Sequence, residues 1–156
     1  MNAFVKVVKA SLIVTGLVFS GTLFAAGSET TPAETKRLPE LVAGKAAIDA
    51  KDWKKAIDEL SRAAAKEPAN ADIQNHLGYA NRKSGNLEAA FKYYDEALKL
   101  DPKHRGAHEY IGEAFLMTGN LPKAEEHLAA LDRLCFFSCE EYRDLKKSIA
   151  DYKAKK

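Results

Sequence analysis

The sequence predicts an all-α domain: three helical hairpins stacked as a short solenoid and closed by a C-terminal capping helix. Three observations predict it. First, small residues recur every 34 positions: Gly44, Gly78 and Gly112 stand in register, as do Ala56, Ala90 and Ala124. Self-similarity at such a period marks stacked supersecondary units. Second, no segment after residue 28 shows β-branched alternation, while Ala, Glu, Lys and Leu abound, a composition that favours helices. Third, Tyr142, Leu145, Ile149 and Tyr152 follow at intervals of three, four and three with charges between them. That spacing makes one apolar face and one wet face on a single helix.

The chain opens with a segment of another kind. Lys6 and Lys9 are its only charges before residue 28, and Leu12, Ile13, Val14, Leu17, Val18, Phe19, Leu23 and Phe24 form an apolar run closed by Ala25, Ala26 and Gly27. Residues 1–27 therefore read as a secretory signal peptide, cut after Ala25 or Gly27, with a core short for a membrane span of about 20 residues. The alternative is an uncleaved anchor, the one route to a membrane for this chain. Residues 28–37 are polar, contain Pro32 and lack apolar periodicity, so they are expected to be a disordered spacer.

Without the leader the chain carries 22 basic and 22 acidic residues. A nucleic-acid partner needs clustered positive charge, and nothing in this formally neutral chain suggests it, so no nucleic acid is expected as a partner. About 130 remaining residues suit one domain.

The elements follow in order, in units of about 37–70, 71–104 and 105–138. In the second unit a helix is expected from about Ala71 to Lys83, with Ile73, Leu77 and Ala80 on its apolar face. Gly85 ends it in a left-handed turn, and Asn86 caps the next helix by accepting an orphan backbone N–H. Leu87, Ala90, Phe91, Tyr94, Ala97 and Leu98 stripe that helix until Pro102 stops it. Thr118, Gly119 and Asn120 repeat the turn in the third unit, and Pro122 falls in a first helical turn, where its missing donor costs little. The first unit has Lys51 in the glycine slot and keeps a cap at Asp52. Gly78 and Ala90 remove bulk where paired helices approach. A capping helix is expected at about 139–152, and 153–156 as a frayed tail.

These residues carry a resemblance. Leu77-Gly78, Ala90, Tyr94, Ala97 and Pro102 resemble the tetratricopeptide repeat. So do Ile111-Gly112, Phe115, Ala124, Leu128 and Leu131, and, more loosely, Ala43-Gly44, Ala56, Leu60, Ala63 and Pro68. The aromatic slot near the start of each unit holds Glu40, Gln74 and His108 instead. The resemblance covers about residues 37–136 and implies a right-handed solenoid whose first helices line a concave groove for a protein or peptide. Carried over by position, the groove would present Lys45, Ile48, Asn75, Tyr79, Arg82, Lys83, Glu109, Glu113 and Leu116. Some members of the family grip a C-terminal carboxylate with basic and asparagine side chains; here those positions include Leu41 and Glu109.

Cys135 and Cys139 are the only cysteines, placed where the third unit exchanges its proline for Phe136. In an exported protein an isolated pair reads most simply as a disulfide, and closing so short a loop contributes about 2 kcal/mol by chain entropy. A redox-active pair and a copper(I) site remain open beside it. His104 and His108 stand four apart and could share a helix face; together with His76 and His127 they read as packed or exposed histidines. Glu125-Glu126 and Glu140-Glu141 read as solvated helix surface. No phosphate loop, zinc helix or nucleophile elbow is present, so no enzyme, metal or cofactor is expected. The resulting expectation is an exported, periplasmic adaptor or scaffold, with thiol-redox or copper(I) handling as the alternative.

Overall fold

A computed structural model describes residues 38–155. The signal peptide and spacer expected at 1–37 lie outside the described residues. Seven helices follow one another: α1 (Pro39–Asp49), α2 (Trp53–Lys66), α3 (Ala71–Lys83), α4 (Leu87–Leu100), α5 (Arg105–Met117), α6 (Leu121–Leu134) and α7 (Glu140–Ala154). There is no strand among the described residues, and none of these helices is long and apolar enough to cross a membrane.

Each hairpin is made by the same local chemistry. The turns leave α1, α3 and α5 through a residue of positive φ: Lys51 (57°), Gly85 (91°) and Gly119 (78°). Asp52, Asn86 and Asn120 then accept from the backbone N–H groups of Lys55, Ala89 and Lys123, starting α2, α4 and α6. The Lys51 slot is thus the same turn built without glycine, and a side chain there meets the Cβ–carbonyl crowding that disfavours left-handed backbone.

Consecutive hairpins bury their apolar side chains in three clusters along the stack. Ala47, Ala56, Leu60, Ala63, Ile73, Leu77 and Ala80 form its first cluster. Ala90, Tyr94, Ile111 and Ala114 form the middle, and Leu116, Ala124, Leu131, Leu145 and Ile149 the last. Helices with so many alanines at their contacts pack backbone to backbone, and the three glycines show how closely. A Cβ on Gly44 would sit 2.6 Å from Leu60 Cγ, and one on Gly78 2.5 Å from the Tyr94 ring. In both cases the neighbour belongs to the same hairpin. At Gly112 the nearest atoms come instead from Leu145 of α7, at 2.6 Å. The capping helix therefore takes the place that Leu60 and Tyr94 hold in the first two units.

Helix α7 packs on both α5 and α6, with Leu145 and Ile149 buried and Tyr142 and Tyr152 against the same cluster. It continues to Ala154, so the tail begins later than residue 153: Lys153 pairs with Glu125 at 2.6 Å. Cys135 ends α6 and Cys139 starts α7, and the two are joined as a disulfide across 5.5 Å between Cα atoms. Phe136 and Phe137, between them, are 91% and 87% exposed.

Candidate functional site

The first helix of each hairpin contributes to one face. Lys45, Ile48 and Asp49 of α1, His76 and Tyr79 of α3, and Tyr110 of α5 surround a cavity of about 250 Å3. A second cavity of similar size lies beside it, sharing His76 and Tyr110. Its walls are Asn75, Gly106 and Glu109, with Glu140, Glu141 and Asp144 of α7 on the other side.

Aromatic rings set the floor. Tyr79 packs on Tyr110 with centroids 4.9 Å apart and meets Trp53 edge-on at 6.3 Å. The Arg82 guanidinium lies over both tyrosines, at 5.4 Å from one ring and 5.5 Å from the other. Its Nε donates to Tyr94 Oη (3.3 Å), and its Nη1 pairs with Glu113 at 2.7 Å. A planar cation with several fixed donors suits this position, because it joins a carboxylate, a hydroxyl and two ring faces at once. Burial and the neighbouring guanidinium act on Tyr94 in opposite directions; burial wins and keeps its hydroxyl protonated far above the ordinary range.

The structure sorts the residues expected to bind a partner. Lys45 is exposed and Tyr79 half-buried, both on the first cavity; Ile48 lies with them, and exposed Lys83 reaches over the Tyr79 ring at 5.9 Å. Arg82 is only 8% exposed and engaged within the chain, so it holds the groove together and is not free for a partner. Glu113 is likewise engaged, by Arg82 and by the Ser148 hydroxyl, which donates to it at 3.2 Å. Leu116 is covered by the cluster that α7 completes and does not face the groove. Asn75 and Glu109 are buried in the second cavity. For Glu109, Glu113 and Leu116 the reason is α7, which lies against α5 and takes up much of the surface that the third unit was expected to present, whereas Arg82 is held by Tyr94 and Glu113.

Residues outside that expectation complete the face. Tyr110 and His76 line both cavities, and Glu141, expected as solvated surface, is half-buried and pairs with Arg105 at 3.6 Å. The repeat pattern could have flagged Tyr110, which stands one repeat after His76; nothing in the sequence places α7 against α5. His104 and His108 do not act together. His104 caps α5 by accepting from the Ala107 N–H and meets Asp72 at 3.0 Å, whereas His108 meets His127, ring nitrogen to ring nitrogen, at 2.9 Å. Burial, then the nearby His108, holds His127 down at about 4.

Glu109 is the most perturbed acid of the face. Burial, reinforced by Glu113, Asp144 and Glu141, pushes it up to about 8 against the pull of Arg82. Among the described residues no group of three or more His, Cys, Asp or Glu side chains is arranged to hold a metal ion.

Stacked hairpins with one cavity-bearing inner face define a helical-repeat interaction domain. Two models of the tetratricopeptide repeat match the chain, over residues 41–105 and 81–149. The chain belongs to the tetratricopeptide-repeat family. Solved structures share its fold. MamA of MSR-1 is 23% identical over 61% of this chain and 55% of its own, with a TM-score of 0.57; the chain spans about half of that protein's length. The Sgt2 TPR domain from Aspergillus fumigatus is 25% identical over 74% of this chain and 76% of its own, at 0.66. The first TPR of Spaghetti (RPAP3), bound to the HSP90 peptide SRMEEVD, is 19% identical over 74% of this chain and 93% of its own, at 0.63.

Proposed function

We propose that this chain is an exported adaptor or scaffold of the bacterial cell envelope that holds a peptide or protein segment in the groove between α1, α3 and α5. The observation that carries the reading is the cavity where Lys45, Ile48, Asp49, Tyr79 and Tyr110 meet. It offers two rigid aromatic rings, an aliphatic edge and charges of both signs, a mixture that suits a peptide backbone flanked by varied side chains. Tyrosines already held by neighbours lose little freedom when a partner lands on them. The RPAP3 domain, which shares the fold and is bound to a peptide, supports a peptide as the kind of partner. The leader read in residues 1–27 and the Cys135–Cys139 disulfide support export, since disulfides persist in oxidising compartments.

A photo-crosslinking residue at Ile48, compared with one at exposed Lys92 of α4, tests the groove in intact cells. Products are expected from position 48 and not from position 92, and Lys45→Glu with Tyr79→Ala is expected to remove them. Products that survive that double substitution overturn the groove assignment. Fractionation tests export: a full-length chain confined to the cytosol refutes it.

A further inference from the structure

The cavity between α3, α5 and α7 is the part of the face that the chain's own packing leaves incomplete. Glu109, Glu140, Glu141 and Asp144 bring four carboxyl groups around it. Arg105 pairs with Glu141, and Arg82 is held by Glu113; among the described residues no ion pair reaches Glu109, Glu140 or Asp144. A second observation is independent of charge. The Asn75 side chain lines this cavity and is only 5% exposed, yet its Oδ1 has no hydrogen-bond partner. A buried amide oxygen left without a donor costs about 1–3 kcal/mol, and turning the carboxamide over exchanges oxygen and nitrogen without changing its shape. As placed, the oxygen is enclosed and Nδ2 is the atom on the Gly106 side, 3.3 Å from where a Cβ would stand; Gly106 lines the same cavity, so the turned carboxamide sets its oxygen toward it.

The charges left unpaired around this cavity all belong to carboxyl groups, so the component that complements them is a cation. A metal ion does not fit, since the carboxylates are spread around the cavity and do not converge on one point. An organic cation on a flexible stem does fit, because it can bring several N–H groups to separated acceptors.

We propose that this cavity receives a lysine or arginine side chain, with Asn75 as the acceptor in its wall and Glu140 and Asp144 as its counter-ions. The proposal rests on the groove reading for the source of that side chain: His76 and Tyr110 line both cavities, so a segment in the groove lies beside this one. Glu109 supports it. Arg82 from α3, Glu113 on its own helix, and Glu141 and Asp144 from α7 act on it, and His76, Tyr110 and Glu140 share its cavity. Below about 8 the empty site keeps Glu109 protonated; an arriving cation favours the carboxylate, so binding releases a proton.

The test is an NMR titration of the labelled full chain with the acetylated tripeptide amide Ala-Arg-Ala. Its Ala-Gln-Ala counterpart, calcium chloride and magnesium chloride are titrated alongside. The arginine peptide is expected to shift the Asn75 side-chain and Gly106 amide signals. Glu140→Gln with Asp144→Asn is expected to weaken that response about tenfold, as loss of charge-assisted partners does, while Glu126→Gln on α6 leaves it unchanged. Equal binding of the glutamine peptide, an unaffected double variant, or the same shifts from calcium or magnesium alone overturns the proposal. Ile48 crosslinks separate the two readings. Peptide binding without crosslinks sinks the groove and leaves the cavity; crosslinks without peptide binding do the reverse.

Discussion

Gly78 and Tyr94 show how one residue's lack of a side chain sets the packing of a hairpin. The Tyr94 ring is fully buried and lies where a Cβ on Gly78 would be, and its hydroxyl is fixed by Arg82. A ring held at both ends has nowhere to move, so overpacking at this point is costly. Gly78→Ala is expected to lower stability by about 2–3 kcal/mol in urea unfolding, with disturbed near-UV signals from the tyrosine cluster. Lys51 presents the opposite case. It adopts φ of 57° in a turn where the other two hairpins use glycine. Lys51→Gly is expected to raise stability by about 1 kcal/mol, because the left-handed penalty of a side chain disappears. A denaturation midpoint that falls would show that other contacts of Lys51 outweigh that penalty.

At the scale of the element, α7 decides how much of the face is available. Leu145 fills the space above Gly112, and Ile149 closes the last core cluster with it. Leu145→Ala is expected to cost about 3 kcal/mol as a fully buried leucine, and to raise amide exchange in α7 and in the neighbouring turns of α5. The disulfide acts differently. Replacing both Cys135 and Cys139 by serine is expected to cost about 2 kcal/mol through the freed chain, while α7 stays docked because its apolar face is unchanged. Hydrogen exchange distinguishes the two: loss of protection along the whole of α7 in the serine variant would mean that the disulfide, not the apolar face, holds the helix.

Over the whole molecule, pH acts on the fold through groups of opposite sign. Glu109 is raised from 4.5 to about 8, so the stability it lends is fully present below 4.5 and is lost as pH rises through 8. His127 is lowered from 6.5 to about 4, so its contribution is present above 6.5 and lost as pH falls toward 4. Burial lowers His76 and His108 in the same direction as His127. Between 4.5 and 6.5 the terms oppose one another, and above 6.5 Glu109 acts alone among these four. Stability is expected to fall by roughly 2 kcal/mol from pH 6.5 to 8, and Glu109→Gln to flatten that decline. Thermal melts across the interval check it; an unchanged slope in the variant would assign the decline to another group.

The class of fold follows from particular residues read in one dimension. Repeated Gly44, Gly78 and Gly112, the caps at Asp52, Asn86 and Asn120, and the proline stops act within a few residues of themselves, which is why their meaning survives without coordinates. The apolar stripe of α7 is legible for the same reason. The proposed binding face was only partly legible. Lys45 and Tyr79 lie where the family resemblance puts them, but Arg82 is held over the tyrosine rings by Glu113 and Tyr94, and Leu116 is covered by α7. By itself the sequence determined the hairpins, their number and their turns, because these depend on local backbone chemistry and on a repeating apolar pattern. Only the tertiary structure decided which polar residues remain open, because that depends on where the unrepeated helix comes to rest. Setting α7 against Gly112 buries Glu109, engages Glu113 and brings Glu140 and Asp144 to the cavity beside Asn75.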